Sequence, residues 1–218
     1  MATDYGNKSI VTDGLVFLAD AANKQSYIGS GTTATDTINN TSGTLYNSVG
    51  FSNDNSGVFT FDGASDYIDF GNPSLTAVTN VSISIWCNFS EVSSNHNIYA
   101  KPEQYWFHKP ANSQIQFKIY TSGRITLNSG TTPSTNTWYN LVGTYDGSIM
   151  KVYVNGVLGG TKSESNSLAT NSNSLILGGW TGAADDFNGK ASCMKLYNRA
   201  LLASEVLQNY NALKSRFE

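Results

Sequence analysis

The chain has 218 residues, 13% of them charged and 39% hydrophobic, with a formal net charge of −3. That length suits one domain able to bury its own core. The scattered Lys and Arg exclude the dense basic patch that nucleic-acid binding wants, and no apolar stretch reaches the ~18 residues of a membrane helix. Met1 to Ile10 carries no apolar signal segment, so no secretory leader is expected. Two cysteines, Cys87 and Cys193, are too few for a disulfide-dense scaffold, and two reduced, buried thiols are expected. Ser, Thr and Asn make up 72 residues, which favours turns, caps and edges, while 26 aromatics argue against disorder.

Residues 1–13 read as a polar arm and 14–218 as one domain. The first strand is expected at Leu15 to Leu18, followed by a loop-rich stretch to residue 57. Phe59 and Phe61 alternate with Val58 and Thr60, a strand with one buried face, and Asp66 to Phe70 follows as a second. From Val81 to Ser90 the alternation is stricter. Val81, Ile83, Ile85, Cys87 and Phe89 share one face, and Ser82, Ser84, Trp86 and Asn88 the other. Further strands are expected at 97–101, 105–109, 114–120 and 123–128, the last two flanking a Ser122-Gly123 turn. In the second of these runs, 105–109, Trp106 and His108 share a face and Tyr105 takes the other.

Asp146-Gly147 and Asn155-Gly156 punctuate the apolar runs between Trp138 and Leu158, which predicts two consecutive hairpins. Ser174 to Gly178 and Lys190 to Tyr197 read as strands. Only Ala203 to Phe217 reads as helix, with Val206, Tyr210, Leu213 and Phe217 spaced four, three and four. Closely spaced strands with one terminal helix predict an all-β fold, an antiparallel β-sandwich jelly roll.

Several segments resemble the laminin G-like, concanavalin A-like jelly-roll superfamily. They are Phe61-Asp62-Gly63 with Asp66-Tyr67-Ile68, Ser82 to Trp86, Trp138-Tyr139 through Gly147, Val152 to Gly156, and Phe187 to Lys190 leading to Leu196 through Leu201. The resemblance spans roughly residues 14 to 210 and speaks to fold more than function. A narrower resemblance, to laminin G-like proteins of bacteriophage particles, rests on Ile10 to Val16, Asp20 to Asn23, and Glu205 to Ala212. It implies a virion surface protein, a capsid decoration or fibre component, assembled in the host cytoplasm. Many family members carry an Asp-Glu pair in the last strand, where the Asp helps hold a structural calcium; this chain has Ser192-Cys193 there. Family members also cap the last helix with Ser or Thr, where this chain has Leu202 with Glu205 three residues on.

Glycoside hydrolysis on this fold needs two carboxylates about 5 to 10 Å apart. Hydrolases of the superfamily place them in Glu-x-Asp-x-x-Glu or Glu-x-Asp-x-Glu patterns, and none of Glu91, Glu103, Glu164, Glu205 or Glu218 sits in one. His96 and His108 form no zinc motif, and no nucleophile-elbow glycines surround a serine. The chain is therefore expected to be no enzyme.

Resemblance to the pentraxins of the same superfamily suggests calcium at Glu103, Gln104, Asp185 and Asp186, with solvated loop charges as the alternative. Sugar binding needs an aromatic platform beside amides and carboxylates. Trp180 stands among glycines near Asp185 and Asp186, and Tyr105 lies in the strand with Trp106 and His108, so Trp180, Tyr105, Asp185 and Asp186 are the glycan-binding candidates. Trp106 and Trp138 are expected in the core, and Trp180 is open between core and platform. Asp4 and Tyr5 of the arm and Tyr210 and Phe217 of the helix are the candidate contacts to other virion subunits or a second copy of the chain. The expected function is a non-enzymatic phage surface protein that contacts other virion subunits and host-surface glycans. The alternative is a lectin module of an extracellular protein.

Overall fold

A computed structural model describes residues 9–73, 79–180 and 185–218. The arm candidates Asp4 and Tyr5 lie outside them. In chain order the strands are β1 (Leu15–Ala19), β2 (Thr33–Thr35), β3 (Ser42–Tyr46), β4 (Gly50–Ser52), β5 (Val58–Asp62), β6 (Tyr67–Asp69), β7 (Val81–Phe89) and β8 (His96–Lys101). They continue as β9 (Tyr105–Lys109), β10 (Gln116–Tyr120), β11 (Arg124–Asn128), β12 (Trp138–Tyr145), β13 (Ile149–Val154), β14 (Val157–Ser163), β15 (Ile176–Leu177) and β16 (Asn188–Tyr197), then helix α1 (Ala203–Phe217). The loop-rich stretch before residue 57 holds three short strands, β2 to β4, whose brevity leaves too few residues for a visible alternation.

Two antiparallel eight-stranded sheets face each other. The first runs β14-β13-β12-β7-β16-β5-β4, with β1 added along the second half of β16; the second runs β11-β10-β9-β8-β15-β6-β3-β2. The Asp146-Gly147 and Asn155-Gly156 turns join β12, β13 and β14 as the sequence predicts, with Gly147 and Gly156 at φ +88° and +77°. Between the sheets lies one continuous apolar cluster that includes Ile83, Ile85, Cys87, Phe89, Tyr99, Phe107, Phe117 and Leu141.

Strand β7 is buried on both faces, the polar one included. The reason is α1, which lies across the outer face of the first sheet. There the Trp86 indole stacks on Phe217 (4.3 Å between ring centroids) and on Tyr210 (5.6 Å), and Trp138 packs on Phe217 at 4.7 Å. Tyr210 and Phe217, expected as contacts to other subunits, are thus spent on the chain's own sheet. Leu202 supplies no side-chain cap; Glu205 Oε2 accepts the Leu202 N–H at 2.8 Å and pairs bidentately with Arg199.

Near the end of α1, Arg216 reaches back into the sandwich. Its guanidinium donates to both carboxylate oxygens of Asp20 (2.9 and 2.8 Å), to the Asn55 and Gly57 carbonyls (2.5 and 2.7 Å) and to Ser192 Oγ (2.7 Å). Ser192, the position where the resemblance implies the Asp of an Asp-Glu pair, thus accepts from a permanent organic cation. The next residue, Cys193, adopts φ +54° at a bulge in β16, so that Ser192 and Cys193 both face α1 while Ala191, Met194 and Leu196 face the core. Cys87 faces the core and Cys193 the helix, and both are free thiols. Lys195 is fully buried with its Nζ 3.2 Å from Cys193 Sγ, and burial pushes the Cys193 thiol up, keeping it protonated.

Candidate functional site

The outer face of the second sheet carries a different chemistry. Along β9 the pleat turns Trp106 and His108 outward and Tyr105 and Phe107 into the core. Pairing with β10 sets Lys118 opposite Trp106 and Gln116 opposite His108, and the turn into β11 brings up Arg124 opposite Tyr120. Pairing with β8 sets Asn97 opposite His108.

A loop completes the site. Gly178 leaves β15 at φ +93°, where a Cβ would stand 2.2 Å from Phe61, so only glycine permits this path to Trp180. The returning segment is tied to β8: the Asn97 N–H donates to the Asp185 carbonyl at 2.7 Å, and His96 Nδ1 lies 3.1 Å from the Asp186 carbonyl. The Trp180 indole lies against Trp106, centroids 5.8 Å apart and planes at 81°.

The result is a cleft of about 340 Å³ lined by Asn95, Asn97, Trp106, His108, Lys118, Arg124, Trp180 and Asp185. Trp106 is only 2% exposed, yet it belongs to no core cluster. It is covered by Trp180 and by two cations, Lys118 Nζ at 5.9 Å and Arg124 Cζ at 5.5 Å from its ring centroid. Trp106 is thus buried as expected, though on the outer side of the second sheet and not between the sheets; Trp138 packs under α1.

Protonation in the cleft is internally consistent. Lys118 Nζ donates to His108 Nδ1 at 3.0 Å, which leaves the histidine proton on Nε2, 3.8 Å from Asp185 Oδ2. Burial and the Lys118 ammonium push the His108 pKa down to about 4, so the ring is neutral near pH 7. Burial and the Arg124 guanidinium bring Lys118 down to about 8, so it remains mostly charged there.

Of the glycan candidates, Trp180 and Asp185 line this cleft together. Asp185 also lines a neighbouring cavity of about 370 Å³, with Asp186, Glu91, Ser93, Ser94, Asn95 and Asn188. Burial raises the Asp186 pKa; the Trp180 N–H draws it back, and the carboxylates of Asp185, Asp62 and Asp66 add to the rise. Tyr105 is a correction: it is buried in the sandwich interior, on the opposite face from the cleft. The four calcium candidates do not gather either. Glu103 lines a third cavity with Pro102, Ser172, Asn173 and Trp180, Gln104 is buried, and Trp180 stands between them and the Asp185-Asp186 pair. Among the described residues no three His, Cys, Asp or Glu side chains stand close enough to hold a metal ion.

The site residues that the sequence alone leaves unassigned are Asn95, Asn97, His108, Lys118 and Arg124. The Ser122-Gly123 turn places Tyr120 beside Arg124, so half of the register was legible. The pairing of β9 with β10 crosses a six-residue loop whose length leaves the register open.

The fold and the sequence agree with known proteins. Domain 4 of AbnA, an extracellular arabinanase of Geobacillus stearothermophilus solved with arabinotriose, superposes with a TM-score of 0.72 at 18% identity, over 90% of this chain and 98% of that one. The binding domain of Paraclostridial Mosquitocidal Protein 1 gives 0.75 at 16% identity, over 91% of this chain and 52% of that one. Trypanosoma rangeli sialidase in complex with the inhibitor DANA gives 0.65 at 15%, over 93% of this chain and 33% of that one. This chain thus spans nearly all of the arabinanase domain, about half of the toxin domain and a third of the sialidase. No curated protein sequence matches it. A family model, however, matches residues 61–207, two-thirds of the chain. On that match, and on the sandwich that carries it, the chain belongs to the concanavalin A-like lectin/glucanases superfamily.

Proposed function

We propose that this chain is a non-enzymatic carbohydrate-binding module displayed on the surface of a bacteriophage particle. The observation that carries the binding half is the Trp106–Trp180 pair, two indoles held at 5.8 Å on the outer face of a sheet instead of in the core. Sugars present apolar C–H faces and a rim of hydroxyls. Indoles suit the first, and the amides of Asn95 and Asn97 with the Asp185 carboxylate suit the second. The arabinanase domain, solved with arabinotriose, supports a sugar ligand for a domain of this shape. Of the residues lining the cleft, Asp185 alone bears a carboxylate, which argues for binding without hydrolysis.

The virion half rests on the segments that resemble phage particle proteins. They pack on one another: the Val11 N–H donates to Asn209 Oδ1 at 2.8 Å, Tyr197 Oη donates to the Val11 carbonyl at 3.0 Å, and Gln208 Nε2 to the Ser9 carbonyl at 2.9 Å. Opening and closing segments thus make one structural unit next to the start of the domain.

A glycan array probed with the purified chain tests binding, with Trp180→Ala expected to lose the signal; a signal unchanged by that substitution removes the cleft as the site. Immunogold microscopy of phage lysate tests display. Gold on heads or tails is expected, and label confined to cells or medium would favour the lectin module of an extracellular protein.

A further inference from the structure

The same cleft holds two cations that the chain itself leaves without an anion. Among the described residues neither Lys118 nor Arg124 forms a salt bridge, whereas Arg199 and Arg216 are each paired with carboxylates. Lys118 is 9% exposed and donates only to a neutral histidine, His108. Arg124 is exposed, and among the described residues its guanidinium makes no hydrogen bond. Both sit over one indole, in a protein whose net charge is −3. The one carboxylate of the cleft, Asp185, lies 3.8 Å from His108; its charge reaches Lys118, but it forms no salt bridge with either cation.

Holding an ammonium half-desolvated beside a guanidinium costs free energy, and an opposite charge from outside would offset it. A half-buried indole, Trp180, lining one cleft with two cations suits a ring that is apolar on one side and negatively charged at its edge. Resting on the carbohydrate-binding reading, we infer that the preferred ligand is an anionic sugar, whose carboxylate or sulfate is received by Lys118 and Arg124 while its ring lies against Trp180. The planar guanidinium matches a carboxylate or sulfate with two parallel donors, and the Lys118 ammonium adds a third. Asp185 and Asn97, across the cleft, remain free for sugar hydroxyls.

The test uses the full chain on an array of matched oligosaccharides that differ only in the acidic group: neutral, uronic-acid, sialylated and sulfated members of each pair. Acidic members are expected to bind about tenfold tighter than their neutral partners, the scale of one charge-assisted hydrogen bond. Arg124→Ala, a change at an exposed side chain, should erase that preference, so that the acidic and neutral members of each pair bind alike. Uronic and sialic acids against sulfates then show which anion the cleft takes. Equal binding of acidic and neutral members, or a preference that survives Arg124→Ala, would overturn the inference while the carbohydrate-binding reading stands. Binding to no member of the array would overturn both.

Discussion

The Trp180 indole meets Trp106 edge to face at 5.8 Å, although 74 residues separate them in the chain. The contact forms because Gly178 turns the chain out of β15 and the Asn97–Asp185 backbone bond brings it home. It covers the one large aromatic that the second sheet turns outward beneath two cations. Trp180→Ala should therefore uncover Trp106 and cut sugar affinity at least tenfold, with a stability loss of only about 1 kcal/mol, the worth of an aromatic pair. Titration calorimetry beside a urea melt separates the two effects; a large loss of stability with affinity intact would make Trp180 structural.

The cleft should respond to alkaline pH before acid. Lys118 titrates at about 8 and is charged below that value, so affinity for an acidic sugar should hold between pH 5 and 7 and fall as pH rises through 8. His108, brought down to about 4, stays neutral over that range and should contribute no step of its own. Lys118→Met should remove the alkaline decline together with part of the affinity. Affinity that stays level from pH 6 to 9.5 in the unsubstituted chain would place the anion elsewhere.

Arg216 joins α1 to the sandwich through Asp20, Ser192 and two carbonyls, all in partly or fully buried surroundings. Arg216→Ala leaves Asp20 without its counter-charge and should cost about 3 kcal/mol in chemical denaturation. Since this cation is covalently part of the chain, chelation with EDTA should leave the melting temperature of the unsubstituted protein unchanged. A melting temperature that drops on chelation would show that a metal ion carries stability here.

Acid should act on the loop behind β8. Glu91 Oε2 accepts from the Ser93 N–H and Oγ and the Ser94 N–H at 2.6, 2.7 and 3.1 Å, and His96 Nε2 lies 2.9 Å from Oε1. Burial works against its charge, but these partners outweigh it and hold the carboxyl at about 2. A folded pKa below the unfolded one adds stability above about pH 4.5 that is lost as pH falls toward 2. Glu91→Gln should flatten that part of the stability–pH curve, measured by thermal melts from pH 2.5 to 6; an unchanged slope would assign the acid loss to other carboxylates.

Helix α1 begins with half a capping box. Leu202 is exposed and offers no acceptor to the first-turn N–H groups, while Glu205 already serves the Leu202 N–H. Leu202→Ser supplies the missing acceptor and should stabilise the chain by about 1 kcal/mol. A neutral or destabilising result in a urea melt would mean that the Arg199–Glu205 pair already satisfies this end.

Much of the architecture was legible in the residues because alternation and turn chemistry are local. The strict period of Val81 to Phe89, the Asp-Gly and Asn-Gly turns, and the four-three-four spacing of α1 each report a backbone choice made within a few residues. Local pattern also put Trp106 and His108 on one face and Tyr105 on the other. What the pattern could not say is what covers each face. The face of Trp86 and its serine neighbours is covered by α1; Trp106 is buried as expected, but by Trp180 and two cations on the outer side of the second sheet. Both outcomes depend on contacts between segments more than a hundred or some tens of residues apart, and alternation carries no information about those. The joining of Lys118 and Arg124 over Trp106 likewise required the β9–β10 register, and Glu103 and Asp185, both acidic loop residues, were sent to different cavities by Trp180 standing between them. Composition and period decide which residues are strand and which side chains share a face, since sterics act between neighbours. The site was decided by tertiary structure alone, because a cleft is a meeting of faces, and only packing chooses which faces meet.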